Sequence, residues 1–183
     1  MSFQVVYDAN VLYPPTLRHV LLQIAMTDLV QARWTDQILD ETFRNIVSNN
    51  PQLDADRLLR TRRLMCEAVP DCLITGYEPI VATLKLPDVD DRHVLAAAIR
   101  ARASTIVTRN VDDFPADVLG PWDIEAKHPD QFLLDQFHLD GVAVHAAVQR
   151  VADSMRNPPA TFNDVVETLE RCGLPLAAAV LRR

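Results

Sequence analysis

The feature that most constrains the fold of this chain is an alternation of short apolar strands with amphipathic helices. Phe3–Tyr7 is a Val-rich apolar run that predicts a buried strand, and residues 105–108 predict a second one. Between them lie segments with helical spacing of apolar residues and with Pro, Thr or Asp at their starts. Strands alternating with helices predict an α/β fold with a central parallel sheet.

The predicted elements divide the chain into two parts. Up to residue 120 they are the two strands, helices over 15–25, 35–48, 53–69, 77–84 and 88–103, and a short strand over 72–75. After Gly120 only helices are predicted, over about 128–138, 142–155, 161–172 and from 175. We therefore predict an α/β domain over residues 1–125 and an all-helical C-terminal extension over residues 126–183.

The extension is expected to dock on the first domain through apolar stripes on its helices. These stripes consist of Val142, Val144, Val148 and Val151, and of Leu174, Leu176 and Val180.

Composition and missing motifs exclude several classes of protein. A formal net charge of −7 argues against binding nucleic acid through an overall basic field. The 3 cysteines form no Cys-x-x-Cys pair, and the 4 glycines form neither a P-loop nor a dinucleotide-binding fingerprint. Serine-hydrolase and zinc-protease motifs are absent. Since there is no signal-peptide pattern and no long apolar run, we expect a cytoplasmic protein that does not enter membranes.

Carboxylates remain as the candidate functional groups. Asp8 follows the first strand, Glu41 lies on the polar face of a helix, and Asp112 and Asp113 follow the last strand. Carboxyl ends of parallel strands meet at one edge of a sheet, where such groups would repel one another unless a cation lies between them. Oxygen ligands favour a hard ion, Mg²⁺ or Mn²⁺, which can activate water against a phosphate. Taken singly, Asp8 could instead be a turn former and Glu41 a solvated helix residue.

Helix geometry ranks the acidic residues that precede the Ala-rich helix. Asp91 is followed at i+4 and i+7 by Leu95 and Ala98, so its side chain is expected on the face toward the sheet. Asp88 and Asp90 are expected to cap the helix instead.

Four segments together carry a resemblance to a known family. They are Val5-Val6-Tyr7-Asp8-Ala9-Asn10-Val11-Leu12, then Glu41, then Asp91-Arg92-His93-Val94-Leu95-Ala96-Ala97-Ala98, then Ile106-Val107-Thr108-Arg109-Asn110-Val111-Asp112-Asp113-Phe114. In this order they resemble the PIN domain of VapC-type toxins, over about residues 3–125. The C-terminal part resembles the helical extension of larger VapC-like proteins. The resemblance implies a PIN-like α/β/α sandwich.

The resemblance also implies a Mg²⁺- or Mn²⁺-dependent endoribonuclease, the toxin of a type II toxin–antitoxin pair. It implies Asp8 and Asp91 as metal ligands, with Glu41 and Asp113 as further catalytic acids. Asn10, Thr108, Asn110 and Asp112 are implied as supporting residues. Which of Asn110, Asp112 and Asp113 supplies the fourth site group stays open. RNA is the implied substrate, and a cognate antitoxin and a second copy of the chain are the implied partners.

The helix over 53–69 carries a basic face that has two interpretations. Arg57, Arg60 and Arg63 could bind RNA phosphates, or they could form a solvated face balanced by neighbouring acids. Two alternatives to a nuclease also stay open. One is a catalytically idle PIN-like module that binds RNA or protein, and the other is an aspartyl-phosphate phosphatase, which would need an acid where Asn10 stands.

Overall fold

The computed structural model describes residues 3–183 and has a four-stranded parallel sheet at its centre. The strands are β1 (Phe3–Tyr7), β2 (Val30–Arg33), β3 (Thr105–Val107) and β4 (Glu125–Lys127), in the spatial order β2-β1-β3-β4. In the central strand, Val5 lies opposite Ala32 on one side and Thr105 on the other. All four strands run the same way, so their carboxyl ends meet at one edge of the sheet.

Eleven α-helices are described between and after these strands. They are α1 (Ala9–Leu12), α2 (Pro15–Ala25), α3 (Asp36–Asn49), α4 (Ala55–Ala68), α5 (Glu78–Val81), α6 (Arg92–Ala101), α7 (Ala116–Leu119), α8 (Pro129–Leu139), α9 (Gly141–Ser154), α10 (Phe162–Arg171) and α11 (Pro175–Leu181). A parallel sheet flanked by helices and followed by a helical C-terminal region confirms the predicted fold class. Within residues 3–183, no helix combines the length and hydrophobicity that a bilayer crossing requires.

Side-chain caps set the starts of several predicted helices. Thr35 Oγ1 accepts the amide hydrogen of Ile38 at 3.0 Å and begins α3. Thr161 forms a capping box with Asp164 at the start of α10. Each such bond satisfies an amide that the helix itself leaves without an acceptor.

Three predictions about strands are corrected. β2 is not among the predicted strands, and β4 shows that the region after Gly120 is not helical throughout. The strand predicted over 72–75 is a single bridge between Leu73 and Trp34. The backbone amide of Trp34 donates to the Cys72 carbonyl, and the Trp34 carbonyl accepts from the Ile74 amide, both at 2.8 Å. Because α3 begins directly after Trp34, the pairing cannot extend into a longer strand. Strand β4 also spans the predicted domain boundary at residue 125.

The extension packs against the first half of the chain along α2. Val144, Val148 and Val151 on α9 are fully buried, as predicted. Val142 is 82% exposed and Leu176 is 50% exposed, so their predicted docking roles are wrong. Val142 is two residues from Val144 on a helix and therefore points to a different face.

A pair of valines on α9 tests this packing. We expect Val148→Ala to lower the free energy of unfolding by about 1–3 kcal/mol, because it leaves a cavity in a closed core. Val142→Ala, the same change at an exposed site, should stay within about 0.5 kcal/mol of the parent protein. Urea unfolding measures both variants. Equal effects at the two positions would contradict the packing of α9.

Candidate active site

Asp8 lies at the carboxyl end of β1 and is 4% exposed. Its Oδ1 accepts the amide hydrogen of Ala9 at 2.7 Å. Its Oδ2 accepts hydrogen bonds from Asn10 Nδ2 at 2.8 Å and from Thr108 Oγ1 at 2.7 Å. Burial raises the pKa of Asp8, while the bonds from Thr108 and Ala9 oppose that rise. The carboxylate is held in one orientation at the edge of the sheet.

Asn10 joins the loops that follow β1 and β3. Its Nδ2 also donates to Thr108 Oγ1 at 2.9 Å, and its Oδ1 accepts the amide hydrogen of Arg109 at 3.0 Å. The amide of Asn110 donates to Thr108 Oγ1 at 3.1 Å. The predicted supporting residues Asn10 and Thr108 therefore form one network with Asp8. Asn110 takes part through its backbone, and its side chain is exposed.

Asp91 stands at the start of α6 with one oxygen left unsatisfied. Its side chain forms no capping bond, and Oδ2 is buried without a hydrogen-bond partner among residues 3–183. Burial raises the pKa of Asp91 to about 7, and the negative charges of Asp8, Asp88, Asp113 and Glu41 add to the rise. The predicted acids thus act on one another electrostatically, as expected for a common site.

Glu41 on α3 faces His93 on α6, and His93 is not among the predicted site residues. The distance between Glu41 Oε2 and His93 Nε2 is 3.6 Å, and the His93 side chain is buried while that of Glu41 is 43% exposed. His93 Nδ1 has no partner within residues 3–183. The sequence signal is the spacing from Asp91 to His93, which brings the imidazole to the same helix start.

The other predicted acids divide into near and remote groups. Asp113 is half-buried in a one-turn 3₁₀ helix and its charge acts on Asp91, whereas Asp112 is exposed. The caps expected from Asp88 and Asp90 are wrong. Asp88 Oδ1 accepts the Asp90 amide at 2.8 Å within the preceding turn, because α6 begins only at Arg92.

An open cleft of about 450 Å³ lies beside Glu41 and Asn10, and we call it the site cleft. Its remaining lining residues are Tyr13, Pro14, Asn45, Asn49, Arg109 and Cys172. Asn45 and Asn49 follow Glu41 by four and eight positions, a helical spacing that could have predicted their place on this face.

Arg109 connects the site cleft to the extension. Its Nη2 donates to the Cys172 carbonyl, just after α10, at 2.8 Å, while its amide contacts Asn10. Arg109 Nε is buried without a partner among the described residues. The C-terminal region therefore contributes directly to the lining of the site cleft.

Comparison with protein families agrees with this geometry. A model of the PIN domain matches residues 4–112. The chain belongs to the PIN-domain family. A second model, described as the VapC50 C-terminal domain, matches residues 129–183.

One curated relative is similar over part of the chain. The chain is 43% identical over 108 residues to the "Putative ribonuclease VapC50" of Mycobacterium tuberculosis. The aligned region covers 59% of this chain and 63% of that protein, less than two thirds of its length. No solved structure is significantly similar.

None of the three arginines on the basic face of α4 lines the site cleft of this PIN domain. Arg63 pairs with Glu67 along the helix at 3.5 Å, and Arg60 is exposed. Arg57 lines a different groove, between α2 and α4. The three arginines predicted as one RNA-binding face thus have three different surroundings.

The donor set at the edge of the PIN-domain sheet fits a hard cation. The converging ligand atoms are carboxylate oxygens, and the buried Asp91 Oδ2 is an acceptor without a donor. Within residues 3–183 no three His, Cys, Asp or Glu side chains come together closely enough to surround an ion unaided. Carboxylate oxygens are the ligand type that Mg²⁺ and Mn²⁺ prefer in proteins.

Proposed function

We propose that this protein is a metal-dependent endoribonuclease that hydrolyses RNA phosphodiesters in the cytoplasm. The observation that carries the proposal is the buried, unpaired Oδ2 of Asp91 in a PIN domain, on a carboxyl whose pKa the charges of Asp8, Glu41 and Asp113 help to raise. Similarity to a protein named as a ribonuclease supports the same activity. The chain is the toxin of a type II toxin–antitoxin pair and forms a homodimer.

In this proposal each acid has a distinct role. Asp8 and Asp91 bind Mg²⁺ or Mn²⁺, since both retain free lone pairs on their oxygens. When bound, the ion polarises the phosphate and lowers the pKa of an attacking water. Glu41 orients that water or binds a second ion, and Asp113 with Asn110 completes the shell.

Neighbouring side chains preserve the geometry of these acids. Thr108 and Asn10 donate hydrogen bonds to Asp8 and hold its carboxylate in place, and the bond from Thr108 offsets part of the rise in pKa that burial causes. His93 lies beside Glu41 and restricts where the longer acid can point.

The phosphatase alternative is poorly supported by the geometry. Asn10 donates through its amide to Asp8 and Thr108, so no second acid stands two residues after Asp8. Lys127 lies on β4 and pairs with Glu125 and Asp135 instead of approaching Asp8.

Metal binding can be tested separately from cleavage. We expect Mn²⁺ at about ten times its dissociation constant to stabilise the protein by about 1.4 kcal/mol, which is roughly 3–6 °C in melting temperature. The shift should disappear with EDTA and in Asp91→Asn. A melt that is identical with Mn²⁺ and with EDTA would contradict the metal site. Binding without cleavage of a structured RNA pool would favour the idle PIN-like module.

Co-expression tests the proposed antitoxin, and a measurement of molecular mass tests the proposed dimer. A cognate antitoxin encoded beside this chain should co-purify with it and suppress cleavage, and light scattering of the free protein should give the mass of two copies. A monomer that no neighbouring gene product inhibits would contradict this part of the proposal.

A further inference from the structure

A groove of about 850 Å³ runs between α2, α4 and the loop joining α9 to α10. We call it the basic groove. Its charged lining residues are Arg18, Arg57 and Arg156, and no carboxylate lines it. The chain has a formal net charge of −7, whereas the charged side chains that line this groove are all positive.

Two of these arginines are available to a ligand. The guanidinium groups of Arg57 and Arg156 are on exposed residues and form no ion pair or hydrogen bond with other residues in 3–183. Arg18 is already used within the fold, because its Nη1 donates to the carbonyls of Leu12 and Tyr13. Burial, together with the charge of Arg18, lowers the pKa of His19, so this imidazole stays neutral at pH 7.

A fourth arginine borders the basic groove. Arg150 on α9 donates to Gln23 Oε1 at 2.8 Å, and Gln23 itself lines the groove on α2. The extension therefore supplies Arg156 to the lining and Arg150 to the rim, so both parts of the chain build this surface.

The site cleft and the basic groove adjoin at consecutive residues of the chain. Tyr13 and Pro14 line the site cleft, and the next two residues, Pro15 and Thr16, line the basic groove. Nucleic acid that extends from the site cleft past Pro14 would therefore meet a groove whose charged lining residues are all arginines.

We infer that the basic groove binds the phosphodiester backbone of the RNA on one side of the cleaved bond, with Arg57 and Arg156 contacting phosphates. This inference rests on the proposed nuclease function. Arginine presents a planar fork of donors that matches phosphate oxygens, and contacts of this kind fix register without reading bases. An acidic peptide has the same sign of charge, but the adjoining phosphodiester-cleaving site favours RNA.

Arg57→Gln and Arg156→Gln test the inference, with Arg102→Gln as the matched control. Arg102 is exposed at the end of α6, just before β3 and so at the opposite edge of the sheet, and its change removes the same charge. We expect each groove variant to raise KM for a long single-stranded RNA about three- to tenfold with kcat unchanged. The slope of log binding constant against log salt should fall by about 0.7 per lost contact. A short oligonucleotide that fills only the site cleft should not distinguish the three variants.

The outcomes separate the groove from the nuclease. If the parent protein cleaves RNA and all three variants behave alike, the basic groove is not an RNA-binding surface. If no RNA is cleaved, the nuclease proposal fails, and RNA binding in EDTA, followed by fluorescence anisotropy, still tests the groove. Weaker binding of poly-glutamate by the groove variants, with RNA binding unchanged, would overturn the inference in favour of a protein partner.

Discussion

Asp91→Asn is expected to abolish metal-dependent RNA cleavage while leaving the fold intact. The substitution keeps the size of the side chain and removes one of the two charges proposed to hold the ion. Cleavage of a structured RNA pool at equal Mn²⁺ measures the loss. Asp90→Asn is the matched control, because Asp90 is adjacent and exposed and loses the same charge. An active Asp91→Asn enzyme, or an inactive Asp90→Asn enzyme, would overturn the assignment.

The same substitution should stabilise the metal-free protein at neutral pH. The pKa of Asp91 in the folded protein is about 7, against 3.8 for an unperturbed Asp. The folded state therefore holds the proton more tightly than the unfolded state, and the free energy of unfolding falls as pH rises from about 4 to about 7. After allowance for solvent screening of this partly exposed group, we expect Asp91→Asn to recover about 1–2 kcal/mol at pH 8. Urea unfolding of both proteins at pH 5 and pH 8, in EDTA, measures the difference. An effect of Asp91→Asn on stability that is equal at the two pH values would contradict this explanation.

Asp130→Ala is expected to lower the free energy of unfolding by about 2–4 kcal/mol. Asp130 is 6% exposed in the first turn of α8, and its two oxygens accept the amide hydrogens of Leu176 at 3.1 Å and of Ala177 at 2.8 Å. Alanine would leave both amides at the start of α11 without acceptors and would remove this polar link between α8 and α11.

A second carboxylate cap provides the comparison. Asp164 accepts from Thr161 in the exposed capping box of α10, so Asp164→Ala should destabilise the protein much less than Asp130→Ala does. Denaturant melts of the two variants should therefore differ clearly in midpoint. Equal midpoints would show that Asp130 does no more than an ordinary surface cap.

The strands and helices that could be predicted from sequence are those with a complete local signal. Strand β1 is a continuous apolar run, and α3 has both a Thr cap and helical spacing of buried residues. Strand β4 has only three residues, Glu125–Lys127, and none of them is fully buried. This strand forms because its backbone pairs with β3, which lies twenty residues earlier in the chain. The local sequence of β4 therefore does not predict it.

The candidate site shows the same division. The effect of the Asp8 charge on the pKa of Asp91 could be expected, because strand ends and helix starts are predicted to meet at one edge of the parallel sheet. The contact of Arg109 with the Cys172 carbonyl could not be predicted, since it joins residues 63 positions apart through a backbone atom that any residue would provide. The different surroundings of Arg57 and Arg63 likewise depend on where α2 and the α9–α10 loop lie. The spacing of residues within α4 gives no information about those positions.

The Arg109–Cys172 contact means that the PIN domain and the C-terminal extension have to be inherited as a matching pair. An extension transplanted from a relative would have to place a carbonyl at the same point, or Arg109 would lose the acceptor that holds it in the site cleft. Chimeras that join the PIN domain of one such protein to the tail of another should therefore fold more often than they function.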